Sequence, residues 1–185
     1  MNNIQIEDRE FEILIENDNI RKRTRLIGIQ VNLDYEHRCP VFIGVLNGSF
    51  MFMADLLKEI TISCEVAFIR ISTYSGAESS GKVKEVFGLP NDLHNRDIIL
   101  VEDIVDTGFT LSHILNEIHK QKPASVKVCS LLLKPAALKE PIKELEYVGF
   151  ELGNEFIVGY GLDYNGLGRN LNDIYRTKTV SPAAT

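Results

Sequence analysis

The stretch that most constrains this chain is Ile98-Ile99-Leu100-Val101-Glu102-Asp103-Ile104-Val105-Asp106-Thr107-Gly108-Phe109-Thr110. It opens as a short, unbroken apolar run rich in Ile and Val. Such a run predicts a strand buried on both faces, as in a parallel sheet. Two adjacent carboxylates, Glu102 and Asp103, follow it, and a third, Asp106, lies three residues on. Thr107, Gly108 and Thr110 then lead into the stripe Leu111, Ile114, Leu115 and Ile118, whose spacing predicts an amphipathic helix over Thr110–Lys120. The first amides of a helix have no intrahelical partner and lie at the positive end of its dipole. Carboxylates and an anion cradle therefore meet at the carboxyl end of a strand, where open α/β sheets bind ligands. A ligand that combines a phosphate with sugar hydroxyls and a metal ion suits both halves. Helix capping by Asp106 and Thr107 would explain a lone Asp-Thr-Gly. It does not explain the whole run.

The rest of the chain alternates strand and helix patterns. The first dozen residues read as extended. Ile20, Ile27 and Val31 predict a helix from Asn19 to Tyr35, capped by Asn17, Asp18 or Asn19, with Arg21, Lys22, Arg23 and Arg25 on a solvated face. Pro40 to Leu46 predicts a buried strand, Asn47-Gly48-Ser49 a turn, and Phe50 to Ile60 a helix with Phe50, Met53, Ala54 and Leu57 on one side. Glu65 to Thr73 predicts a further strand. Residues 75 to 88 lack a core pattern and read as a lid-like loop, with Val86 to Leu89 a strand in its far arm. Val126 to Leu133, Tyr147 to Leu152 and Phe156 to Leu162 predict the remaining strands, and Thr179 to Thr185 a frayed tail. This alternation predicts an α/β fold: a mostly parallel twisted sheet with helices on both faces. Right-handed crossovers then bring the turns after Leu46, Val101 and Leu133 to one sheet edge.

Composition narrows the function. A chain of 185 residues with 44% apolar content is long enough for one domain with its own core. A net charge of −6 argues against general nucleic-acid binding, which needs a basic surface. Cys39, Cys64 and Cys129 are odd in number and widely spaced, which argues against structural zinc and a disulfide framework and fits reduced thiols in the cytoplasm. His37, His94, His113 and His119 show no zinc spacing. The amino-terminal residues do not read as a signal peptide, and no stretch approaches the roughly 18 apolar residues of a membrane span.

The run Val101 to Thr110, V-E-D-I-V-D-T-G-x-T, resembles the phosphoribosyl-diphosphate motif of type I phosphoribosyltransferases. From about Asn19 to Leu171 the chain is similar to the hypoxanthine(-guanine) branch of that family. The resemblance implies one domain over 1–185, with a core of about 36–150 and a hood of about 151–178 that also takes amino-terminal residues. It implies that Glu102 and Asp103 hold the ribose hydroxyls close to magnesium (Mg2+). Asp106, Thr107, Gly108, Phe109 and Thr110 would hold the 5′-phosphate, and Asp106 would act as acid or base near purine N7. Val45-Leu46-Asn47-Gly48-Ser49 resembles the pyrophosphate loop, with a cis peptide between Leu46 and Asn47. Many relatives carry lysine at Asn47, so contact there would rest on backbone donors. Thr73 and Tyr74 match the root of a mobile lid. Lys134 would donate to the 6-oxo group, Phe156 would stack on the base, and Ile157 would meet the purine edge. Asp163 would serve the purine pocket and a metal through water, and Arg169 would meet pyrophosphate.

The implied activity is purine salvage: transfer of the 5-phosphoribosyl group from phosphoribosyl diphosphate to hypoxanthine alone, or to hypoxanthine and guanine, releasing pyrophosphate. Two alternatives stay open: a transferase for another base such as xanthine, and a non-catalytic nucleotide-binding regulator on the same fold. The implied partners are the two small-molecule substrates and further copies of the chain, as a homodimer or homotetramer, with no nucleic acid and no membrane. The Asn19–Tyr35 and Phe50–Ile60 helices are the candidate contact elements.

Overall fold

The computed structural model describes residues 3–73 and 83–178. Two sheets form. The larger has six strands in the order β5(Val83–Phe87), β4(Glu65–Thr73), β3(Val41–Leu46), β6(Asp97–Val105), β7(Ser125–Leu133), β8(Leu145–Glu151). Its five strands from β4 to β8 run parallel, and β5 is antiparallel at the edge. The helices are α1(Asn17–Asp34), α2(Phe50–Glu59) and α3(Phe109–Lys120). Both faces of the sheet are covered, as the continuous apolar strands require. Phe42, Ile99, Val101, Cys129 and Leu131 pack with α1 and α2. Their sequence neighbours Ile43, Ile98, Leu100 and Val128 pack with α3.

The smaller sheet is antiparallel, in the order β1(Ile4–Ile6), β2(Arg9–Ile15), β10(Ile174–Thr177), β9(Ile157–Val158). Residues from the two ends of the chain thus share one layer, with Phe11, Val158 and Tyr175 as its core.

Four local expectations change. First, β6 does not stop at Val101 but runs on to Val105, so Glu102 and Asp103 belong to the strand. Pairing with β7 continues through Glu102, Ile104 and Val105, which holds the acids in register. Second, α1 starts at Asn17 after Glu16, and none of the expected capping side chains caps it. Asp173, distant in sequence, accepts from the Asn17 backbone N–H at 2.7 Å instead. Third, α2 buries Phe52, Met53 and Leu56, and leaves Phe50 41% exposed. The inward face is turned from the expected one because the helix also packs on α1. The late pattern from Phe156 shortens to β9 followed by turns at Gly159, Tyr160 and Gly161, all of positive φ.

Candidate active site

The carboxyl ends of β3 and β6 open on one cavity of about 250 Å³. Its walls include Leu46 at the end of β3 and Gly48 in the turn after it, Glu102 and Asp103 from β6, Asp106, Thr107 and Gly108 from the turn after β6, and Thr110 from α3. The two turns are adjacent because β3 pairs directly with β6. The peptide between Leu46 and Asn47 is cis. A Cβ at Gly48 would overlap the Asp103 carboxylate, so glycine lets the acid lie against the turn.

Two acids in this wall are held in unusual surroundings. Glu102 is 7% exposed, and burial, then the neighbouring Asp103 charge, pushes its carboxyl well above the ordinary range. Burial likewise raises Asp103 to about 6, against the lowering effect of the Ile104 N–H, which donates to Asp103 Oδ1 at 2.9 Å. Adjacent acids raised in this way are relieved by a cation or by hydroxyl donors. Glu102 and Asp103 therefore fit a magnesium ion that takes one or two protein carboxylates and completes its shell with water and phosphate oxygens. Among the described residues no cluster of three or more metal-ligating side chains exists. Asp163 is engaged elsewhere: Oδ1 pairs with Arg169 at 2.5 Å and Oδ2 accepts from the Gly166 N–H at 2.7 Å.

The amide cradle follows from α3. Gly108, at φ +78, is its N-cap, and the Phe109 N–H donates to Thr107 Oγ1 at 3.5 Å. The first amides of α3 are left for an anion. Leu138 and Ile142 pack close to the Gly108 position, and the Lys139 N–H donates to the Thr107 carbonyl at 3.4 Å. The segment after β7 thus supports the cradle from behind, a contact that sequence reasoning missed.

Asp106 is half exposed, and its Oδ2 lies 3.6 Å from Lys134 Nζ, whose side chain is only 11% exposed. The two pair because Lys134 directly follows β7, the strand beside β6. Arg169 pairs with Asp163 and donates to the Gly161 carbonyl at 2.6 Å. Gly161, at φ +101, sits so close to the Gly48 carbonyl that a Cβ would collide with it. The smaller sheet's turn is thereby seated on the first turn of the larger one.

Ile157 opens β9 in the smaller sheet and Phe156 directly precedes it, both outside the cavity wall: Ile157 is 5% exposed and Phe156 40%. Phe156 meets Tyr164 edge-on, with ring centroids 5.6 Å apart. The Arg9 guanidinium lies over both rings, 5.3 Å from Phe156 and 4.7 Å from Tyr164. Asp8 accepts from the Tyr164 hydroxyl at 2.8 Å, and Glu7 accepts from Asn165 Nδ2 at 2.6 Å. The β1–β2 turn therefore fixes the segment that bears Phe156. Sequence reasoning saw only extended chain there, and the sole signal was a polar turn between two apolar runs. Asn47 is exposed. Thr73 ends β4, and Tyr74 lies outside the described residues, as does most of the lid-like loop.

The profile of the phosphoribosyl transferase domain matches residues 12–165. The chain belongs to the phosphoribosyltransferase family. It is 40% identical to the hypoxanthine-guanine phosphoribosyltransferase of Bacillus subtilis over 161 residues, 86% of this chain and 89% of that protein. It is 44% identical to the bifunctional protein TilS/HprT of Listeria innocua over 86% of this chain, and spans 25% of that longer protein. Its fold superposes with a TM-score of 0.81 on a hypoxanthine-guanine phosphoribosyltransferase from Bacillus anthracis, at 36% identity, covering 89% of this chain and 97% of that one. No helix among the described residues is long and apolar enough to cross a membrane.

Proposed function

We propose that this phosphoribosyltransferase acts in purine salvage, joining hypoxanthine, and also guanine, to the phosphoribosyl group of phosphoribosyl diphosphate. The observation that carries this reading is the meeting of three parts at the strand ends. An acid pair and an amide cradle line one cavity, and Asp106 in the same wall pairs with Lys134. The names of the relatives point to the same substrates.

In this reading the 5′-phosphate binds the amides and hydroxyls of Thr107 to Thr110, and Glu102 and Asp103 take the ribose hydroxyls. Glu102 and Asp103 would hold magnesium, which when bound would supply charge neutralisation at the pyrophosphate. Asp163, paired with Arg169, would reach the ion through water. The turn Leu46–Gly48 and Arg169 meet the pyrophosphate, and backbone donors stand in for a lysine at Asn47. A purine nitrogen forms the bond to C1 of the ribose as the C1–oxygen bond to pyrophosphate breaks, and pyrophosphate leaves with that electron pair. Asp106 governs the proton at N7. Lys134 donates to a 6-oxo acceptor and disfavours the 6-amino donor of adenine. Phe156 stacks on the base, and the Ile157 backbone meets its edge. The Thr73–Tyr74 segment belongs to a closing lid that excludes water. The three free cysteines fit a reducing, cytoplasmic setting.

The test is an assay with phosphoribosyl diphosphate, magnesium and each purine in turn. Nucleoside monophosphate and pyrophosphate should appear with hypoxanthine and guanine. Product with xanthine alone would move the base assignment. No product with any purine would replace this reading by a nucleotide-binding regulator.

A further inference from the structure

Tyr160 stands between two glycines, and all three residues hold positive φ, Tyr160 at +49. That backbone is unfavourable for a residue with a Cβ, and a third glycine would fit it more easily. The chain carries a tyrosine there instead and buries it completely, at 0% exposure. The ring belongs to the core cluster that includes Phe52, Met53 and Leu56 of α2. Its hydroxyl donates to Asp55 Oδ2, also on α2, at 2.7 Å. Burial, and then the bond to Asp55, pushes the Tyr160 hydroxyl up, so it keeps its proton and donates. Against the raising effect of burial, hydrogen bonds from Lys58 and Tyr160 hold the Asp55 carboxyl below its ordinary range, so it stays ionised and accepts.

The two ends of this bond belong to segments that serve different substrates. On one side, the Tyr160 N–H donates to the Leu171 carbonyl at 2.8 Å and the Gly161 N–H to the Arg169 carbonyl at 2.9 Å. Ile157 lies three residues before Tyr160, and Asp163 three after it. On the other side, the Met53 N–H donates to the Ser49 carbonyl at 2.8 Å, and Ser49 Oγ donates to the Val45 carbonyl at 2.7 Å. α2 is thereby tied to the Leu46–Gly48 turn, and Asp55 moves with it. Gly161 already rests on the Gly48 carbonyl. A single contact is a pivot. The bond to Asp55 is a second contact, roughly 10 Å further along the chain at a helical rise of about 1.5 Å per residue. Two separated contacts fix an angle.

We propose that Tyr160 is a positioning residue of the transfer reaction. Its bond to Asp55 sets the angle between the segment that meets the purine and the turn that meets pyrophosphate. The purine nitrogen must approach C1 of the ribose opposite the departing oxygen, so an error of angle between those parts is an error in the line of attack. Tyr160 is outside the cavity wall, so it acts only through the parts it holds. This role rests on the transfer reaction proposed above.

Single-turnover rates test it, with the full chain in excess over phosphoribosyl diphosphate and with saturating magnesium and hypoxanthine. Under those conditions the rate constant belongs to folded, loaded molecules. A variant that merely folds less well loses active protein and keeps that constant. Tyr160→Phe retains the ring and removes the bond. Its rate constant should fall at least about tenfold, while its Kd for phosphoribosyl diphosphate with magnesium stays within about twofold of the wild type. Asp55→Ala should lose as much as Tyr160→Phe, and the double variant no more than either. The exposed Lys58 pair that Asp55→Ala also removes carries little. Asp55→Asn keeps an acceptor for the hydroxyl and should recover most of the rate. An unchanged rate constant in Tyr160→Phe, or losses that multiply in the double variant, overturns the positioning role and leaves the activity standing. So does an Asp55→Asn chain as slow as Asp55→Ala. If Tyr160→Phe fails to fold, the two Asp55 variants decide between them. A wild type that converts no purine overturns the proposed activity and this role together.

Discussion

Single side chains set the chemistry. Asp106 and Lys134 pair at 3.6 Å, and one is half exposed while the other is sheltered. That asymmetry suits a carboxylate that meets the reacting base and an ammonium that reads its edge. Asp106→Ala should lower turnover by about 10²–10⁴-fold if the group moves a proton. Steady-state rates with hypoxanthine check this, and unchanged turnover in a folded variant removes the role. Lys134→Gln should relax discrimination against adenine, because an amide offers an acceptor as well as donors. The ratio of kcat/KM for hypoxanthine to that for adenine measures it. Selectivity that survives the substitution would assign base choice to another group.

At the scale of elements, the site depends on contacts between segments far apart in sequence. The β1–β2 turn holds Phe156 and Tyr164 through Arg9 and Asp8. Arg9→Ala should therefore raise KM for the purine and leave KM for phosphoribosyl diphosphate close to its original value. Arg9→Lys should recover part of the loss, since a cation over the rings is kept. Equal changes in both KM values would show a general loss of structure instead. Gly161 seats the smaller sheet on the Gly48 turn, at a positive φ and with no room for a Cβ. Gly161→Ala should cost on the order of 1–3 kcal/mol of stability. Urea melts of the two proteins give the difference, and coincident melts would mean that the sheets separate freely there.

For the whole molecule, the acid pair couples folding to pH. Burial raises the Asp103 carboxyl from its ordinary 3.8 to about 6, and raises Glu102 as well. A raised carboxyl binds its proton more tightly in the folded chain, so its stabilising effect is complete below about pH 4 and is lost as pH rises through 6. Asp103→Asn should lack that share of the loss. Its stability relative to the wild type, from urea melts without substrate, should grow between pH 4.5 and 7. Magnesium with phosphoribosyl diphosphate should narrow the gap by favouring the charged pair in the wild type. A constant gap across this range would show that Asp103 ionises normally.

Much of this was legible in the sequence, and for a definite reason. Buried parallel strands need unbroken apolar runs, so β3, β6 and β7 were plain, and the Val101–Thr110 motif marked the cradle because its residue types have few other joint uses. Patterns of side-chain period carry no long-range address. They left β6 four residues short, since Glu102 and Asp103 look polar although pairing with β7 keeps them in the strand. They turned the α2 face, and they missed Arg9, whose partners lie about 150 residues away. The sequence by itself determined the class of sheet, the segment that bears the acids and the family. Only the tertiary structure decided which acids are buried, that Asp106 faces Lys134, and that the two chain ends close over one another. Burial and pairing depend on which segments become neighbours, and that is a property of packing, not of local pattern.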